Sequence, residues 1–204
     1  MKNGRKFEAV RACLRNSVVK SNNLRAVVIH FILSAGGLIS VASITALIRF
    51  LTLETESYLE LSDIFLLASF VTICGGLAAY AICGYKFLKP AKENTVFSVF
   101  WLTTITSAVS ILAIIHVLLW QIQKSFGVHF FSDGTVGILT VPLFFFNTVG
   151  MGVMASFGFL DHELSTIPSV LLLVAAALFP PGMLFMGLRL KTLNKDKKLT
   201  IRKV

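Results

Sequence analysis

Five apolar stretches, residues 26–48, 64–84, 96–121, 136–160 and 167–188, are separated along this chain by short polar connections. Each is longer than the roughly 18 residues that mark a helical span of the hydrocarbon core. With 55% hydrophobic and only 14% charged residues, the chain falls well below the charge content of about 25% typical of soluble domains. It reads as an all-α, polytopic transmembrane helical bundle of four or five spans. No soluble domain of useful size can be cut from it.

Charge divides the chain into three parts. Residues 1–25 carry Lys2, Arg5, Lys6, Arg11, Arg15, Lys20 and Arg25 against Glu8, and Phe7, Val10, Leu14 and Val18 recur at helical spacing. This is a basic amphipathic arm suited to an anionic leaflet. Residues 26–188 form the transmembrane helical domain. Residues 189–204 are a basic tail with Arg189, Lys191, Lys195, Lys197, Lys198, Arg202 and Lys203. Basic residues beside a span are the ordinary mark of a cytoplasmic flank, so nucleic acid is not expected as a partner. The first apolar run is longer than the 7–15 residues of a cleavable signal core and is read as retained.

Small residues mark expected packing faces. The first span has Ser34, Ala35, Gly36, Gly37, Ser40, Ala42 and Ser43, the second has Gly75, Ala79 and Cys83, and the third has Thr103, Ser107 and Ser110. Cys74 and Cys83 lie nine residues apart, which at ~100° per residue puts them on opposite sides of a helix. They form no shared thiolate site.

The orientation signal contains a conflict. The arm, the connection with Lys86, Lys89 and Lys92, and the tail together hold 17 of the 19 Lys and Arg, and the positive-inside tendency places all three on the cytoplasmic side. Three apolar stretches follow Lys92, however, and three crossings would carry the tail outside. Two readings remain. The 136–160 stretch, interrupted by Pro142, Asn147, Gly150, Gly152 and Gly158, either dips in and returns, as backbone lining a wet cavity does, or crosses plainly. The fifth stretch carries its own expected break at Pro180, Pro181 and Gly182, where neither Pro donates to the helix ladder. Two adjacent interrupted stretches suit a ligand pathway, with Asn147, Asp161, His162, Glu163, Pro180, Pro181 and His116 as its candidate residues.

No catalytic set emerges. His30 and His116 differ in depth by roughly 20 Å at 1.5 Å per residue, so they do not ligate one metal. His162 and Glu163 begin like a zinc-protease helix motif, but Thr166 stands where the second histidine is required. No cofactor, metal or catalytic residue is expected, and the chain is read as non-enzymatic. The leading expectation is an accessory, immunity-like or assembly subunit acting through helix–helix contacts. Its expected partners are the lipid bilayer and a membrane protein or a second copy of itself. A small transporter or channel is the alternative. A multi-pass place in a bacterial plasma membrane is the expected location.

Overall fold

A computed structural model describes residues 12–13, 15–54, 61–90, 96–126 and 166–201. Among these, the chain forms helices α1 (Ser17–Glu54), α2 (Leu61–Phe87), a 3₁₀ turn (Val96–Val99), α3 (Phe100–Phe126) and α4 (Thr166–Ile201). All four α-helices are long and apolar enough to cross a membrane, which bears out the helical membrane bundle. The 136–160 stretch lies outside the described residues.

Two boundaries differ from those expected. The first helix starts at Ser17 rather than at residue 26, because Asn16 caps it. The Asn16 Oδ1 accepts the Val18 N–H at 2.9 Å, and its carbonyl accepts the Lys20 N–H at 2.9 Å. A side-chain acceptor at this position satisfies one of the four amides a helix start leaves open. The last part of the basic arm is therefore the first turns of the span. At the other end of the chain, α4 runs past Arg189 to Ile201, so much of the basic tail continues a span.

The expected break in the fifth stretch is not one. Pro180 and Pro181 lie inside α4. Two missing N–H donors weaken the ladder without ending it, and the helix is held on one side. Leu173, Ala176, Ala177, Pro180, Pro181, Leu184, Gly187 and Leu188 are buried at spacings of three and four. Helix α2, in contrast, stops at Phe87, and Leu88 forms a bend. The pyrrolidine of Pro90 disfavours helical backbone at Lys89 before it.

The chain forms two compact units, one of Met1–His30, Leu77–Ile105 and Phe179–Val204, the other of Phe31–Gly76 and Thr106–Leu178. The first contains the amino ends of α1 and α3 and the carboxyl ends of α2 and α4. The described residues of the arm, the 86–92 connection and the tail thus all belong to one unit. Phe126 and Thr166, which bracket the undescribed stretch, both belong to the other. A labelling experiment reads this directly. Replacement of the native cysteines by Ser, followed by Arg15→Cys, Lys89→Cys or Lys195→Cys one at a time, should give three proteins that a membrane-impermeant maleimide modifies from the same side. Opposite sidedness of position 195 would contradict the arrangement.

In the first unit the buried side chains are mixed, with Leu88, Leu102, Leu184 and Leu188 beside Asn22, Asn23, His30 and Ser98. The buried positions of α1 are Val19, Asn22, Asn23, Ala26 and His30, a single face at helical spacing, while Leu24 and Val28 between them are 59% and 48% exposed. Lipid tails are as apolar as Leu, so the buried aliphatic side chains hold by close packing rather than by leaving an aqueous phase. Amides and imidazoles must find partners inside.

Helices α2 and α4 meet in this unit backbone to backbone. A Cβ added at Gly84 would fall on the Leu184 carbonyl and within 2.9 Å of its Cα, and one added at Gly187 would fall on the Ala81 carbonyl and within 2.7 Å of the Tyr85 nitrogen. Gly84 is the packing glycine of α2. Gly75, the one expected, is exposed and has nothing within 4 Å of such a Cβ.

Candidate functional site

The densest polar cluster described lies in the first unit, where side chains of α1 and α4 hold the connection between α2 and α3. The last turn of a helix leaves carbonyls without donors, and the first leaves amides without acceptors. Here both sets are satisfied across the chain. The Asn22 Nδ2 donates to the Lys89 carbonyl at 2.7 Å and to Ser98 Oγ at 3.1 Å, and its Oδ1 accepts the Lys89 N–H at 2.9 Å. Its neighbour Asn23 uses Nδ2 toward the carbonyls of Val19, at 3.1 Å, and Phe97, at 2.7 Å, while its Oδ1 accepts the Trp101 N–H at 2.8 Å. Asn23 thus caps α3 from another helix.

Two cations cap the carboxyl end of α2. The Arg25 Nη1 donates to the Phe87 carbonyl at 2.8 Å, and the Lys191 Nζ donates to the carbonyls of Lys86, at 3.1 Å, and Leu88, at 2.9 Å. Positive charge is favourable here because the aligned peptide dipoles leave the carboxyl end of a helix partly negative. Asn22 and Lys191 therefore fix the bend at Leu88 by bonds from two different helices.

Deeper along α1, His30 Nδ1 and the Tyr80 hydroxyl lie 2.8 Å apart, a hydrogen bond between two side chains that are each 1% exposed. The rings are tilted at 34° with centroids 6.0 Å apart. In the second unit the side-chain oxygens of Thr45, Thr72 and Ser110 are buried without a hydrogen-bond partner. Other hydroxyls of the chain bond back to the carbonyl four residues earlier, as Ser40 does to Gly36 at 2.8 Å and Thr103 to Val99 at 3.0 Å. Among the described residues no group of three His, Cys, Asp or Glu is placed to hold a metal ion.

The candidate pathway residues are distributed differently. Asn147, Asp161, His162 and Glu163 lie outside the described residues. His116 is carried by α3 in the second unit, and Pro180 and Pro181 are buried on α4 in the first. The residues that do converge, Asn22, Asn23, Arg25, Tyr80 and Lys191, are others. Asn22, Asn23 and His30 share one helical face with Val19 and Ala26, but no spacing in the sequence points to their partners.

The chain matches no family model, no curated protein and no solved structure with which it was compared. Its own residues are the basis for a functional reading.

Proposed function

We propose that this multi-pass membrane protein is non-enzymatic and works as an accessory or assembly subunit, recognising another membrane helix through the outer face of α1. One observation carries the reading. Gly36, Ser40 and Ser43 follow one another at helical spacing and are all exposed, and nothing lies within 4 Å of a Cβ added at Gly36. The Ser40 hydroxyl is satisfied by the Gly36 carbonyl of its own helix, which leaves a stripe of small side chains along which a second backbone can approach closely. The polar side chains of the first unit already have structural work: Asn22, Asn23, Arg25 and Lys191 hold backbone groups, and His30 and Tyr80 hold each other. A bacterial plasma membrane is the location this reading assigns.

A photocrosslinking residue at Ser40 in native membranes tests it. A discrete adduct of one partner, lost in Gly36→Leu while the protein keeps its helicity and elution volume, is the expected result. A monodisperse monomer that yields no adduct would end the proposal.

A second reading, a small transporter or channel, is favoured by the buried, unbonded oxygens of Thr45, Thr72 and Ser110, since polar groups in a hydrocarbon setting call for water or solute. Asn147, Asp161 and Glu163 then contact the solute. Proteoliposomes that show no flux of any ion or small solute tested would remove this second reading and leave the first standing.

A further inference from the structure

We infer that the first unit carries a binding surface for the headgroups of anionic phospholipids, formed by Lys20, Lys86, Lys89 and Arg189. The argument begins with segregation of charge. Among the described residues, the segments of this unit contain Arg15, Lys20, Arg25, Lys86, Lys89, Arg189, Lys191, Lys195, Lys197 and Lys198 against the single carboxylate Asp196. The described residues of the other unit carry Arg49 and Lys124 with Glu54 and Asp63. Among the described residues, one unit is therefore strongly cationic and the other balanced in charge.

The cations of this unit have different roles. Arg25 and Lys191 are engaged with the carbonyls that end α2. Their charge offsets the partial negative charge of that helix end, so the other basic side chains are not drawn to it. Lys20, Lys86, Lys89 and Arg189 are exposed. They come from the start of α1, the end of α2, the bend after it and the carboxyl half of α4, and the backbone of the bend is fixed by Asn22 and Lys191.

Their neighbours identify the ligand as lipid. Lys86 stands between Tyr85 and Phe87, which are 41% and 54% exposed, and Arg189 is followed by Leu190, 54% exposed. Trp101, at the start of α3 in the same unit, is also exposed. A cation alternating with exposed aliphatic and aromatic side chains matches the depth where acyl chains give way to phosphates. Water-facing ligands such as a nucleic acid would leave those apolar groups uncovered. Juxtamembrane clusters of this size attract anionic lipid by charge, and each cation adds to the effect.

The test uses the full-length protein purified from micelles holding equimolar phosphatidylglycerol and phosphatidylcholine with the same acyl chains, and the retained lipid is counted by mass spectrometry. Phosphatidylglycerol should be enriched by about tenfold, and the enrichment should fall in 1 M salt, as screening requires. The combined variant Lys20→Gln, Lys86→Gln, Lys89→Gln and Arg189→Gln should return the ratio to that supplied. Removal of charge from the other unit, in Arg49→Gln with Lys124→Gln, should not. Circular dichroism and elution volume show that each variant is folded, and a variant that fails this check is replaced by the paired substitutions Lys20→Gln with Lys86→Gln, which should halve the enrichment or more. The inference is overturned if the intact protein retains the two lipids as supplied, if the neutralised variant keeps the preference, or if millimolar inorganic phosphate or a short oligonucleotide displaces the lipid fully.

Discussion

Gly187→Ala should unfold in detergent at a markedly lower denaturant concentration than the parent, with a loss of about 2–3 kcal/mol, the upper part of the usual range for overpacking. The added carbon would sit on the Ala81 carbonyl and within 2.7 Å of the Tyr85 nitrogen. Both are backbone atoms of α2 and cannot turn aside as a side chain would. The helices must separate, and the Lys191 bonds to the carbonyls of Lys86 and Leu88, one turn along α4, move with them. Gly182→Ala is the internal control. It lies on the same helix with nothing within 4 Å of its added Cβ, so it should be neutral or stabilising by up to about 1 kcal/mol, the helix preference for Ala over Gly. Gly84→Ala meets the Leu184 backbone in the same way. Combined with Gly187→Ala it should cost less than the two single losses together, because the helices separate once. If Gly187→Ala unfolds like Gly182→Ala, α2 and α4 are not packed as described.

The helical bundle was legible because it rests on composition and run length, which bilayer thickness converts directly into spans. The site was not. Asn22 and Asn23 sit at the end of the basic arm, where polar residues look like solvated flank, and their partners lie 67 to 78 positions away. No local pattern specifies such a pairing. Tyr80 was hidden for a similar reason, since one phenol among Ala and Ile has no meaning until His30 is opposite it. The small-residue rule pointed to the right helix and the wrong glycine. Gly75 and Gly84 look alike in the sequence, and the rotation of α2 about its axis decides which of them meets a neighbour. Pro180 and Pro181 misled in the other direction. Their lost donors were read as a break, yet packing along one continuous face of α4 is enough to keep the helix intact.

Asn22→Leu should destabilise the first unit by about 3 kcal/mol while leaving the helical spans in place. The side chain is fully buried, and three groups lose their partner at once: the Lys89 N–H, the Lys89 carbonyl and Ser98 Oγ. A buried donor or acceptor left open costs about 1–3 kcal/mol, far more than the net gain of a typical bond, and Leu fills the volume without replacing any of them. The orientation of the amide follows from the same contacts, because an N–H of Lys89 demands the oxygen and a carbonyl of Lys89 demands the nitrogen. Asn22→Asp therefore separates the two halves. It keeps an acceptor for the Lys89 N–H but turns an oxygen toward the Lys89 carbonyl, and it should lose nearly as much as Leu. Lys191→Met removes bonds that are exposed or only partly buried and should cost about 1 kcal/mol, as hydrogen bonds open to water do. Hydrogen exchange decides the matter locally. The Lys89 amide should be protected in the parent and exchange at least about tenfold faster in Asn22→Leu, whereas amides in the middle of α3 should be unchanged. Continued protection of Lys89 would mean that its amide is held by something other than Asn22, and the bend would then owe its shape to Pro90 and the helix ends alone.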